Sequence, residues 1–134
     1  MSKESINPPS VFRSLDHGFA QAVAASGRRT LYVSGQVAWD SERQLIGGGS
    51  LEAQATQAFM NLQAVVEAAG GTLADVVSVR IYIVDYRPEM AAVVGGVFRR
   101  FFSNPAPPAA TWVGVGALAD PAFLLEVEAT AVLD

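Results

Sequence analysis

Glu126 and Glu128 stand two residues apart in Phe123-Leu124-Leu125-Glu126-Val127-Glu128-Ala129. On a β-strand this spacing turns both carboxylates to one face and Leu125, Val127, Ala129 and Ala131 to the other. If the apolar group meets the core, the two acids lie on the face destined for subunit contact. A carboxylate there needs a partner or a purpose, because desolvating an unpaired charge costs on the order of several kcal/mol. The purpose open to it is general acid–base work. The plain alternative is an ion pair with Arg80, which the alternation Ser78-Val79-Arg80-Ile81-Tyr82 places on the corresponding face of an earlier strand. Both readings are open for Glu128. Glu126 is carried forward as the candidate catalytic group.

Other residues carry weaker signals. Trp112 lies mid-strand in Ala110-Thr111-Trp112-Val113-Gly114, where it serves either packing or ligand stacking. Gly114 and Gly116 beside it suggest a bulge or a close backbone approach. His17, next to Gly18, reads as a surface side chain before a catalytic one. Gly47-Gly48-Gly49-Ser50 precedes a helix and could cradle an anion there. It lacks the Lys-Ser/Thr ending of a phosphate loop and is expected as a flexible connection. Gly95-Gly96 falls inside a predicted helix, at about 1 kcal/mol each relative to alanine. Either the helix packs closely on the sheet there, or the turn borders a pocket and is trimmed for it.

The counts close off much other chemistry. The 134 residues include no cysteine and one histidine. Thiol nucleophiles, thiolate zinc, iron–sulfur clusters and multi-histidine metal sites are excluded within one chain, and no metal site is expected. Nine basic against thirteen acidic side chains give a net charge of −4 and a pI near 4.9. With no basic run, that balance speaks against a nucleic-acid partner. The first ten residues hold no apolar h-region, and the long uncharged stretch 103–119 contains Pro105, Pro107 and Pro108. No secretory signal and no membrane span are expected, and the cytoplasm is the simplest compartment. The length fits one domain. Hydrophobic residues are 51% and charged residues 16%, and mean hydropathy is +0.29. Part of the apolar surface is therefore expected to be hidden in an oligomer.

The elements that must position these residues follow from periodicity. Residues 1–16 are expected as an irregular arm, with the single domain over 17–134. Alternation over 19–24 and the β-branched run 30–34, joined by Ser26-Gly27, predict a hairpin. Leu51, Ala55, Ala58, Phe59, Leu62, Val65, Val66 and Ala69 fall on one helical stripe, with Ser50 as N-cap and Gly70-Gly71 as stop. Residues 76–85 read as the strongest strand, with Val77, Val79, Ile81 and Ile83 on one face. A second helix is expected to open around Pro88, with Met90, Val94, Val97, Phe98 and Phe101 as its apolar stripe and Arg99 and Arg100 turned away. Residues 104–108 end it. Strands over 109–115 and 123–132 complete the order β-β-α-β-α-β-β. This is an α+β two-layer sandwich, a mixed sheet with two helices on one face. Its helix-free face is expected to be covered by another copy of the chain.

Several short strings, in this order, carry a resemblance: Leu31-Tyr32-Val33-Ser34-Gly35-Gln36, Gln57-Ala58-Phe59-Met60-Asn61-Leu62, Gly71-Thr72-Leu73-Ala74-Asp75-Val76-Val77, Pro108-Ala109-Ala110 and Leu125-Glu126-Val127-Glu128-Ala129. Over about residues 17–133 the chain resembles the Rid family (YjgF/YER057c/UK114), the reactive intermediate deaminases. The resemblance implies a chorismate-mutase-like fold and a homotrimer with a central barrel. It implies small-molecule clefts between subunits and hydrolysis of enamines or imines to a carbonyl compound and ammonia, without cofactor or metal. It also exposes departures. Where imine-hydrolysing members carry a carboxylate-gripping arginine, this chain has Ala110. The first-strand tyrosine corresponds to Phe19, and a second-helix asparagine to Gly95. Glu126 and the Ser34-Gly35 corner are kept. The chain is thus similar to an arginine-lacking subgroup, for which 2-iminopropionate-type acids are not the expected substrates.

On that resemblance Glu126 would be the acid–base group. The backbone at Ser34-Gly35 and Trp112-Val113 would position the ligand, Phe19 and Trp112 would form an apolar wall, and Arg87 would stand in as an anion anchor. Two rival readings remain. One is a small-ligand binding or sensing trimer without turnover. The other is an endoribonuclease-like activity, which the acidic pI disfavours.

Overall fold

Valine- and isoleucine-rich runs build the sheet, and the two helical stripes cover it. The computed structural model describes residues 1–103 and 105–134. In chain order the elements are β1 (Ser2–Ile6), β2 (Ala22–Ser26), β3 (Arg29–Gln36), α1 (Leu51–Ala68), β4 (Val76–Val84), α2 (Met90–Phe101), β5 (Ala109–Val115) and β6 (Leu125–Leu133). Single 3-10 turns occur at Ser14–His17 and Leu73–Asp75. The main sheet runs β3-β6-β4-β5. β6 is antiparallel to both neighbours, and β5 is parallel to β4. Phe59, Leu62 and Val66 of α1 and Val94, Val97 and Phe98 of α2 share one core with Val79, Ile81, Leu125, Val127 and Ala131. Both helices therefore cover the same face, and the α+β two-layer sandwich stands as expected.

The N-terminal part differs from expectation. Residues 1–16 are not an irregular arm: Ser2–Ile6 pairs antiparallel with β2, from Ser2 opposite Ser26 to Ile6 opposite Ala22. β2 therefore forms no hairpin with β3, whose partner is β6, and the chain begins with one more strand. What secures that strand is remote in sequence. The Lys3 ammonium donates to the carbonyls of Ala74, Val76 and Ala106 at 3.1, 3.0 and 2.8 Å, and the Met1 ammonium meets the Asp134 carboxylate. A short polar strand held by such contacts leaves no hydrophobic pattern to read.

The helices largely match the pattern. Ser50 caps α1 by accepting from the Ala53 amide at 3.1 Å, and the chain leaves the helix through Gly70 at φ +92°. Pro88 lies before α2, in a turn that the Met90 amide closes on the Arg87 carbonyl. Of the terminating stretch 104–108, Asn104 lies outside the described residues. Gln54 on α1 is fully buried. Its Nε2 donates to the carbonyls of Gly48 and Ala122, and its Oε1 accepts from the Leu124 amide. This one side chain ties the glycine loop to the entry of β6, the strand that carries Glu126.

Two bulges adjust the registers. On β4 the pairing with β6 shifts between Val76 and Ser78, so Val76 takes the buried position expected of Val77. On β3 it shifts between Val33 and Gln36, which places Ser34-Gly35 in the bulge. β6 alternates as predicted: Leu125, Val127, Ala129 and Ala131 are buried. The helix-free face carries Tyr32, Arg80, Tyr82, Glu126, Glu128 and Thr130 together with Val84, Val113, Val115 and Val132, so it mixes charges with apolar side chains. Any copy that covers it must meet charges. Among the described residues no helix is long and apolar enough to cross a membrane.

Candidate functional site

The two acids of β6 have different surroundings. Register places Tyr82 opposite Glu126 and Arg80 opposite Glu128. Yet the Tyr82 hydroxyl reaches diagonally and donates to Glu128 Oε1, and Arg80 Nη1 lies 3.9 Å from the same oxygen. The Tyr82 phenol ionises above its ordinary value, chiefly because it donates to that carboxylate. Of the two readings open for Glu128, these contacts favour the structural one, with Tyr82 as a partner beyond Arg80. Glu126, half-buried, accepts no hydrogen bond and joins no ion pair among the described residues. It lies against the β3 bulge. A Cβ added to Gly35 would stand 2.8 Å from Glu126 Cγ and closer still to the carboxylate. Gly35 and Glu126, picked out by sequence, are thus in contact, and Ser34 is the adjoining bulge residue.

Phe19, Ala110 and Trp112 meet elsewhere. Ala110 pairs with Val79 and Trp112 with Ile81, so both side chains point to the helix face. With Phe19 they wall an open cleft of about 660 Å³ between the N-terminal segment, β5 and α2, which Phe12, His17, Gly95, Gly96 and Arg99 also line. Phe12 sits edge-on to Phe19 and to His17, with ring centroids 6.3 Å apart in each case. The Trp112 indole Nε1 is buried and has no hydrogen-bond partner among the described residues. A Cβ on Gly96 would touch nothing within 4 Å, and one on Gly95 would meet Trp112 Cη2 at 3.4 Å. Close helix–sheet packing therefore does not explain the glycine pair. Both glycines border the cleft.

Two assignments need correction. Arg87 does not reach the cleft: its Nε lies 3.1 Å from Glu89 Oε1, and both side chains are mostly exposed. The loop before α2 turns its charges on each other. The cation on the cleft is Arg99, which sequence reading had only turned away from the apolar stripe. Its Nη2 donates to the Asp16 carbonyl at 2.5 Å. Val113 pairs with Tyr82 and shares the helix-free face with Glu126; it is on the opposite side from Trp112. Phe12 and Arg99 were the residues sequence reading missed. Phe12 lies in a stretch without periodicity, and a cation off an apolar stripe is usually solvated.

The sheet thus separates the carboxylate from the cleft, and one chain cannot bring Glu126 to Trp112. No group of three or more acidic or histidine side chains that could hold a metal ion occurs among the described residues.

The family model described as Endoribonuclease L-PSP matches residues 14–133. A 2-iminobutanoate/2-iminopropanoate deaminase of Dermatophagoides farinae is 35% identical over 116 residues, 87% of this chain and 86% of that protein. The crystal structure of YyfB from Yersinia pestis, a Rid protein of unknown function, matches with a TM-score of 0.95 at 41% identity, covering 99% of this chain and 100% of that one. RidA from the Antarctic bacterium Psychrobacter sp. PAMC 21119 matches with a TM-score of 0.69 at 35% identity, covering 86% and 88%. A matching model over most of the chain and relatives of this similarity settle the kinship: the chain belongs to the endoribonuclease L-PSP family, the Rid group, with its chorismate-mutase-like fold.

Proposed function

We propose that this protein hydrolyses the C=N bond of small imines or enamines, releasing ammonia, in clefts assembled between copies of the chain. The single observation that carries the reading is the Glu126 carboxylate, which has no hydrogen-bond or ion-pair partner among the described residues and rests against Gly35, where no Cβ intervenes. A homotrimer associating through the helix-free faces would bring that carboxylate to a neighbour's cleft. The reaction needs a protonated imine, water and one carboxylate. Glu126 would steady the iminium, take a proton as water adds to the carbon, and return it to nitrogen as the carbinolamine collapses to carbonyl and ammonia. No cofactor enters these steps. Ala110 offers only a methyl where the resemblance has an arginine, and losing such a charged partner costs about 2–5 kcal/mol. Short 2-imino acids of the 2-iminopropionate type are therefore expected to be poor substrates.

The test is ammonia release from imines generated in situ, with wild type and Glu126→Gln. The reading requires loss of at least tenfold in turnover with the oligomer intact. Unchanged turnover removes Glu126 from the mechanism. A second reading, a binding or sensing trimer without turnover, is favoured by one feature: the cleft of a single chain holds no carboxylate. Tight ligand binding with no ammonia from any imine would select it. RNA cleavage is disfavoured by the net charge of −4.

A further inference from the structure

The cleft on the helix face has a shape and a charge that narrow what enters it. Its walls are aromatic on two sides, Trp112 and Phe19, and its α2 side is cut back to backbone at Gly95 and Gly96. That leaves a mostly apolar space of about 660 Å³, far more than a three-carbon acid fills. One strong cation borders it. Arg13, Arg80, Arg87 and Arg100 each lie within 4 Å of a carboxylate: Asp16, Glu128, Glu89 and Glu52. Arg99 has no carboxylate partner among the described residues. A single hydrogen bond to the Asp16 carbonyl fixes its guanidinium, and its side chain packs against Gly18. A guanidinium oriented by one backbone carbonyl keeps its other N–H donors for a planar anion.

We propose that the cleft takes an acid with a flat apolar body of aromatic-ring size, its anionic group held by Arg99 and its body lying along Trp112 over the Gly95-Gly96 turn. The inference rests on the imine-hydrolase reading for the reaction, but not for the binding. As a substrate, such an acid would be a 2-imino acid with an aromatic side chain. Water adds across its C=N bond, the C–N bond breaks, and a 2-keto acid and ammonia leave with no change of oxidation state. Ala110 cannot anchor the carboxylate, so the anchor moves from the strand to the helix, and the ring supplies the contact area a short acid lacks.

The test is calorimetric binding of three stable probes to the whole protein: phenylpyruvate, pyruvate and phenylacetone. Phenylpyruvate is expected to bind at least tenfold more tightly than either pyruvate, which lacks the ring, or phenylacetone, which lacks the carboxylate. Arg99→Gln is expected to bring phenylpyruvate down to the level of phenylacetone and leave phenylacetone unchanged, with partial recovery in Arg99→Lys. Arg100→Gln, one residue on but paired with Glu52, is the control and should change nothing. Gly96→Val should weaken both ring-bearing probes. Pyruvate binding as tightly as phenylpyruvate, an equal effect of Arg99→Gln on acid and ketone, or no binding of any probe would overturn the proposal. Binding as expected without ammonia release from the aromatic imine would sink the hydrolase reading alone. Hydrolysis of small imines with no preference for the ring would sink this inference alone.

Discussion

Glu126 lies so close over Gly35 that no Cβ fits between the two residues. The β3 bulge supplies the approach, and glycine keeps it open. Among the described residues Glu126 has no hydrogen-bond or ion-pair partner, whereas Glu128, two residues on, is taken up by Tyr82 and Arg80. Two acids of the same strand and face thus acquire different surroundings from the strands beside them.

Gly35→Ala is expected to force the carboxylate aside. Overpacking of this kind costs about 1–3 kcal/mol, and turnover should fall with it. In a Glu126→Ala background the same change should cost much less, because the obstructing side chain is gone. Thermal melts of the two single variants and the double variant check this. Additive losses would mean that Gly35 serves some other contact.

The Tyr82–Glu128 hydrogen bond predicts an alkaline signature. The phenol is held above its ordinary value of about 10 by the carboxylate it donates to. Its contribution to stability is fully present below the unfolded value and is lost as pH rises through the higher folded one. Absorbance at 295 nm should show a late-ionising tyrosine that disappears in Tyr82→Phe and moves to lower pH in Glu128→Ala. A late phase that survives Glu128→Ala would contradict the assignment.

Lys3 secures the first strand. Burial pushes its ammonium below the usual lysine value, opposed by the Asp75 charge, and the three carbonyl acceptors compensate the buried charge. Lys3→Met should lower stability by about 1–3 kcal/mol and speed amide exchange in β1 and β2 ahead of the main sheet. Uniform acceleration across all strands would show that the strand is not an independent appendage.

What was legible in the sequence was what local chemistry fixes. The 3.6 period of Leu51–Ala68 with its Ser50 cap, the alternation of β6, and the pairing of Arg80 with Glu128 all depend on short-range spacing or a single strand neighbour. β1 was not legible, because Lys3 finds its carbonyls some seventy and a hundred residues away. Nor was the cleft. Trp112 and Glu126 both read as strand residues, and only the registers of β5 and β6 on β4 show that they leave the sheet on opposite faces. Arg87 precedes α2 and Arg99 lies in its last turn, and the turn before the helix pairs Arg87 with Glu89 and leaves the cleft to Arg99.

In the proposed site cleft and carboxylate come from different chains, and mixed oligomers of two variants distinguish this from a site within one chain. Glu126→Gln keeps a sound cleft, and Gly96→Trp keeps a sound carboxylate behind a blocked cleft. Each variant alone is predicted to be inactive in imine hydrolysis. Co-expressed in equal amounts and associating at random, they should recover roughly a quarter of wild-type activity, because one site in four would pair a sound cleft with a sound neighbour. No recovery in verified mixed oligomers, or a wild-type protein that sediments as a single chain while still active, would contradict the account.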